Sequence, residues 1–139
     1  MNTQFSEALG YQQALASYHR CEAAGGLFDG FYEIFFAKSP EIPPMFAKTD
    51  MERQKQDVMA SVLMALRLAS GDSVARQYIQ KIAETHSRDG HGIRPELYGL
   101  WLDALCEAVA RCDPQYTTDL ENNWRLAMRP AINLMIASY

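Results

Sequence analysis

The sequence predicts an all-α fold of roughly seven or eight helices, and three observations support this. Apolar residues recur every three or four positions in almost every segment, and no segment alternates polar and apolar residues as a half-buried strand does. Proline and glycine fall between these segments, where one helix ends and the next begins. The 139 residues are enough for one domain with its own core. Since no linker or repeat divides them, we expect a single domain, 1–139.

Composition and charge exclude several function classes. Hydrophobic residues make up 48% of the chain, which is typical of a globular protein, and the net charge of −4 argues against nucleic acid as a partner. No apolar run is long enough to span a membrane, and the first residues lack a basic-then-apolar signal. We therefore expect a cytoplasmic protein with no membrane partner. Three cysteines without a C-x-x-C pair indicate free thiols.

Two helices are predicted before the first proline. The first covers about residues 4–21 and ends before the Gly25-Gly26 pair; the second covers about residues 26–38. The second helix is apolar over an unusually wide arc, so neighbouring elements must cover it on more than one side. Its aromatic residues are Phe28, Phe31, Tyr32, Phe35 and Phe36.

In the middle of the chain, short segments with the residues typical of a helix start alternate with the helices themselves. Ser39-Pro40-Glu41 combines a capping residue with a proline, as at the start of a helix, but residues 42–46 are too rich in proline for a long one. A long helix follows over residues 51–70, and Gly71 ends it. Asp72 or Ser73 then caps the next helix.

That next helix carries an apolar stripe that ends at a histidine. Val74, Tyr78, Ile79, Ile82 and His86 fall on one helical face. Residues 87–92 cannot easily continue the helix, and the proline at position 95 opens another, which runs to about residue 111. Most histidines on apolar faces are core residues, so the stripe alone leaves a ligand role open.

A final helix is predicted from a second pair of signals. Asp113-Pro114 again combines a cap with a proline and indicates the start of the last helix. Pro130 lies inside that helix, and we expect it to kink or split it.

Three polar residues fall on predicted core faces: Tyr32, Gln54 and His86. A buried polar side chain without a partner costs about 1–3 kcal/mol. Three helices that each turn one polar group inward therefore indicate a shared cavity. One candidate occupant is haem, which needs one neutral imidazole, an apolar lining and an open opposite face.

In these residues the chain resembles the globins over its whole length, and specifically the bacterial single-domain globins related to the globin domain of flavohaemoglobins. Tyr32 precedes Ser39-Pro40-Glu41 at the globin spacing, and Phe46 follows at the position of the haem-stacking phenylalanine. Gln54 and Val58 look like the distal pair, one turn apart. The resemblance continues through His86, the run Ile93-Arg94-Pro95-Glu96-Leu97-Tyr98, and Trp124.

The resemblance implies a globin fold around haem b, with His86 as the proximal iron ligand. It implies reversible binding of O2, and also of NO and CO, with Tyr32 and Gln54 donating hydrogen bonds to bound O2 and Val58 beside them. Further residues are expected to line the haem pocket: Phe46, Ile82, Ile93, Tyr98 and Trp101. For Trp101 and Trp124, simple helix packing is an equally good interpretation.

The chain departs from the family pattern near its proximal histidine. The corner after His86 looks longer than in flavohaemoglobins and contains His91, which either approaches a haem propionate or is a solvated loop residue. Arg88 and Arg94 are the competing propionate partners. Tyr98 matches the family tyrosine that is tied to the proximal histidine, whereas the accompanying glutamate has no counterpart up to the last residue.

Several functions stay open at this stage. The leading one is an oxygen-binding or oxygen-transport haem protein. The second is a nitric oxide dioxygenase, which would need a separate reductase because the chain holds no G-x-G-x-x-G nucleotide motif. The others are a gas-sensing module that acts through a partner and a globin-like protein without haem.

Overall fold

Helices account for all regular structure in the part of the computed structural model that is described, namely residues 3–139, with side chains from residue 10 onward. There are seven of them and no strand in that range, which confirms the all-α prediction. In chain order, α1 to α7 are Thr3–Ala24, Leu27–Lys38, Ile42–Met45, Met51–Ala69, Ser73–Thr85, Glu96–Cys112 and Thr118–Ala137. No helix in the described range is long and apolar enough to cross a membrane.

The predicted helix ends coincide with glycine and aspartate residues. Gly25 and Gly26 both have a φ of 79°, which glycine adopts without a steric cost, and they separate α1 from α2. Gly71, with a φ of 95°, ends the turn after α4. Asp72 caps α5, because its carboxylate accepts hydrogen bonds from two backbone N–H groups of the first turn.

The helices pack in pairs that leave a space between them. α2 packs against α6, α1 against α7, and α4 and α5 pack against each other and against α7. Large side chains with almost no exposed surface fill the contacts, among them Phe31, Leu66, Leu105, Trp124 and Met128. Between these contacts, α2, α4, α5, α6 and α7 surround the cavity described below.

The prediction that Asp113-Pro114 starts the last helix is wrong. α7 begins at Thr118, and the side chain of Thr117 caps it by accepting a hydrogen bond from the Leu120 N–H at 3.1 Å. Asp113 instead follows the end of α6, where only 2% of its surface is exposed. Its carboxylate is occupied by partners on α1 and by the turn after it, so it cannot cap α7.

A buried polar network joins α1 to the end of α6 and to Trp124 within α7. The Arg20 guanidinium donates two hydrogen bonds to the Asp113 carboxylate, both of 2.8 Å, and the Ser17 hydroxyl donates a third of 2.6 Å. The Trp124 indole N–H in turn donates to Ser17 Oγ at 3.0 Å. Burial by itself would raise the Asp113 pKa, but the hydrogen bonds from Arg20, from Ser17 and from the Gln115 N–H lower it to about 2.

Two further expectations concern α7 and α5. α7 continues through Pro130 as one helix, so of the two predicted alternatives the split is wrong and the kink stays a prediction. Four of the five residues of the predicted α5 stripe line the cavity, namely Tyr78, Ile79, Ile82 and His86, whereas Val74 departs from the prediction and is 70% exposed. Val74 lies in the first turn of α5 and is left uncovered, although α4 and α7 both pack against that helix.

Candidate functional site

A cavity of about 380 Å³ lies among the helices and is lined mostly by apolar and aromatic side chains. α2, α3, α4, α5, α6, α7 and the corner between α5 and α6 all contribute residues to it. Its predicted members are Tyr32, Phe46, Gln54, Val58, Ile82, His86, Ile93, Tyr98 and Trp101. The polar trio from the sequence therefore does share one cavity.

His86 lies directly after α5 and presents a neutral imidazole to the cavity. Its Nδ1 atom is 2.9 Å from the Ile82 carbonyl oxygen, which can only accept a hydrogen bond. Nδ1 therefore carries the proton, and Nε2 keeps a free lone pair. Burial lowers the His86 pKa, although the bond to Ile82 opposes that shift. A neutral imidazole oriented through its other nitrogen is the form that ligates metals.

On another wall of the cavity, Gln54 holds the hydroxyl of Tyr32. The Gln54 Nε2 atom donates a hydrogen bond to the Tyr32 oxygen over 3.0 Å. Burial, opposed by this bond, raises the pKa of Tyr32 to about 12, so the hydroxyl keeps its proton at neutral pH. Because the oxygen already accepts from Gln54, the Tyr32 proton remains available for a ligand in the cavity.

Aromatic rings support this hydroxyl from the side. The Phe46 ring, which follows α3, lies edge-on to the Tyr32 ring with the centroids 5.7 Å apart, and 5.3 Å from the Phe36 ring. On α6, Trp101 meets Phe31 edge-on at 5.7 Å. These contacts fix the position of Tyr32 and give this side of the cavity an aromatic surface.

Tyr98, on α6, is the one polar side chain with a buried atom that finds no hydrogen-bond partner among the described residues. Its hydroxyl belongs to a residue that lines the cavity, and burial raises its pKa to about 12. An unsatisfied buried hydroxyl costs about 1–3 kcal/mol, so native proteins rarely leave one without a role. Since the oxygen itself is buried, it does not open onto the cavity that other atoms of Tyr98 line.

The three predicted propionate partners do not line the cavity but lie at the corner beside it. Arg94 forms an ion pair with Glu41, at the start of α3. The Arg88 guanidinium lies 4.9 Å above the Tyr139 ring. His91 is exposed, and its ring is edge-on to the His86 ring at 5.6 Å. Nothing in these contacts assigns a propionate to any of them, and their predicted role stays a prediction.

Sequence reasoning missed the part of the cavity that α7 forms. Met128, Ala131, Ile132 and Met135 all line it, and their spacing of three, four and seven residues is a helical stripe that could have been noticed. It also missed Asp57, a charged residue on the cavity side of α4. An aspartate three residues after Gln54 indicates a cavity residue only once it is known which face of α4 lines the cavity.

The chain is similar to a protein of known structure. That structure is a crystal structure of a Pseudomonas aeruginosa PAO1 protein that is structurally highly homologous to a human haemoglobin. The identity is 38%, the match covers 94% of this chain and 98% of that chain, and the TM-score is 0.89. No protein-family model matches the chain, and no curated protein matches it.

Proposed function

The chain belongs to the globin family, and on that premise we propose that it is a haem protein that reversibly binds O2, and also NO and CO. The observation that carries this is the single cavity that joins the His86 imidazole to the hydrogen-bonded Tyr32–Gln54 pair. The narrower kinship with the globin domain of flavohaemoglobins stays a prediction.

The residues of the cavity fit a haem group in two respects. The lining is mainly apolar and aromatic, as a porphyrin face requires. His86 is neutral, with its Nδ1 atom committed to Ile82 and Nε2 available to iron.

Haem b, held without covalent attachment, suits the chain better than a thioether-linked haem. The three cysteines Cys21, Cys106 and Cys112 are free, and none of them lines the cavity. Arg94, Arg88 and His91 are the cationic or titratable groups at the neighbouring corner that can meet haem propionates. To contact a propionate, Arg94 would have to share or break its ion pair with Glu41.

When bound, ferrous haem supplies the iron atom to which a diatomic gas attaches. The protein's part is to hold the imidazole of His86 in one orientation through the Ile82 carbonyl. On another wall, the Tyr32 hydroxyl can donate its proton to a ligand that carries partial negative charge, while Gln54 keeps the hydroxyl in place. A hydrogen bond to a charged partner is worth about 1.5–3 kcal/mol, or roughly ten- to a hundredfold in ligand retention.

The apolar walls of the cavity meet the remaining requirement, which is to keep water away from the site. Val58, Ile82 and Ile93 line the cavity together with the ring of Phe46, and they leave few groups that can hydrogen-bond to water. Keeping water away from the site slows oxidation of a ferrous iron and strengthens the hydrogen bond from Tyr32.

The test is an absorption spectrum of the purified protein loaded with haem, reduced, with and without CO. We expect an intense Soret band that shifts with CO. We expect it to be lost or strongly altered in His86→Ala and retained in His91→Ala, a matched change five residues along the same corner. If excess haem produces no stable band in the parent protein, the proposal is wrong. If only His91→Ala removes the band, the assignment of His86 is wrong.

A further inference from the structure

One face of α4 brings a negative charge to the cavity. Gln54, Asp57, Val58, Ser61 and Ala65 line it at helical spacing. Among the described residues that line the cavity, Asp57 is the only aspartate, glutamate, lysine or arginine. Its side chain is exposed, so it lies where the cavity meets solvent, one helical turn from Gln54.

Nothing among the described side chains neutralises the Asp57 carboxylate. No cationic group of the described residues forms an ion pair with it, and the neighbouring Lys55 binds Asp29 at 2.7 Å instead. The Ser61 hydroxyl donates to the backbone oxygen of Asp57 over 2.9 Å, and not to its carboxylate. The charge of Asp57 therefore acts on the cavity without compensation from a close partner.

The electrostatic influence of Asp57 reaches the ligand-binding hydroxyl. Burial is the main cause of the raised Tyr32 pKa, and the hydrogen bond from Gln54 opposes it. The charge of Asp57 adds to the increase. A charge that disfavours a tyrosinate at this position also disfavours an anionic ligand beside it. A neutral gas molecule does not experience this repulsion.

We propose that Asp57 is a specificity-determining residue whose carboxylate disfavours anionic ligands in the cavity relative to neutral diatomic gases. This inference rests on the proposed haem function. Tyr32 and Gln54 offer hydrogen-bond donors that would attract any ligand with negative charge, including inorganic anions. Asp57 opposes full anions while leaving the donors in place for a gas that acquires only partial charge.

The experiment compares azide binding to the ferric protein with CO binding to the ferrous protein, both followed by the Soret band. The variants are Asp57→Asn, which removes the charge, and Asp57→Glu, which keeps it. Asp119→Asn serves as a matched control, because Asp119 is exposed at the start of α7, nine residues before the first cavity residue of that helix, Met128. Each titration is done at low and at high ionic strength.

We expect Asp57→Asn to raise the ratio of azide affinity to CO affinity by about two- to fivefold at low ionic strength, as for one partly screened charge near the site. The gain should shrink at high salt, and Asp57→Glu and Asp119→Asn should keep the parent ratio. An unchanged ratio in Asp57→Asn, or an equal rise in Asp119→Asn, overturns the inference while the haem band still supports the proposed function. Absence of the haem band overturns both.

Discussion

Lowering the pH should remove a defined part of this protein's stability through Asp113. The pKa of its carboxyl is lowered from 3.8 to about 2, because hydrogen bonds from Arg20, Ser17 and the Gln115 N–H outweigh the cost of burial. Each unit of pKa corresponds to about 1.4 kcal/mol. The ionised carboxylate therefore contributes about 2 kcal/mol to the free energy of unfolding.

The sign of the effect follows from the direction of the shift. A lowered pKa means that the unfolded chain binds the proton more tightly, so the contribution is fully present above pH 4 and lost as the pH falls through about 2. About half of it, roughly 1 kcal/mol, is lost by pH 3. Arg20 stays charged throughout, since its own pKa is raised by the same hydrogen bonds.

Asp113→Asn isolates this contribution. At neutral pH the variant should lose about 2–3 kcal/mol, because the Arg20 guanidinium keeps its place but loses a carboxylate partner. All other titrating groups are common to both proteins. The difference in unfolding free energy between parent and variant therefore reports Asp113, and it should shrink by about 1 kcal/mol between pH 6 and pH 3.

The assay is urea unfolding followed by circular dichroism at several pH values between 3 and 6, with haem content held the same in all samples. Asp119→Asn, which alters an exposed carboxylate in the first turn of α7, is the control and should change stability by no more than about 0.5 kcal/mol. A parent–variant difference that stays constant over this pH range would refute the reasoning. So would a cost below about 0.5 kcal/mol at pH 6.

Two further predictions concern the cavity and the corner beside it. Tyr32→Phe removes the hydroxyl that Gln54 holds at 3.0 Å and should raise the O2 dissociation rate about ten- to a hundredfold, with a much smaller effect on CO; stopped-flow measurement of both gases checks it, and a change below threefold for O2 would contradict it. Gly90→Ala places a Cβ atom 2.3 Å from the Thr85 backbone oxygen and should lower the free energy of unfolding by about 1–3 kcal/mol. Gly99→Ala, on α6 with nothing within 4 Å of its Cβ position, should instead stabilise by up to about 1 kcal/mol; equal effects of the two changes would show that the close contact does not matter.

The helices and most of their ends could be predicted because the forces that set them act within a few residues. A positive φ at Gly25 and Gly26, or a carboxylate at Asp72 that caps the turn after it, depends on local chemistry. The shared cavity was also predictable in outline. Tyr32 and His86 lie on apolar faces, where a polar group needs a reason to be, and both line the cavity.

Other features depend on which element covers which face, and that is not a local property. Asp113 has the sequence pattern of a helix cap, but Arg20, 93 residues earlier in the chain, binds its carboxylate. Val74 fits the apolar stripe of α5, yet the packing of α4 and α7 leaves it 70% exposed.

The sequence by itself therefore determined the all-α class, most helix boundaries set by glycines and caps, and three polar residues that face one cavity, Tyr32, Gln54 and His86. The tertiary structure decided the partners of Asp113, the unsatisfied hydroxyl of Tyr98 and the unopposed charge of Asp57 at the cavity. The physical reason is range: helix caps and periodic faces act over about four residues, whereas burial and charge pairing join residues that only folding brings together.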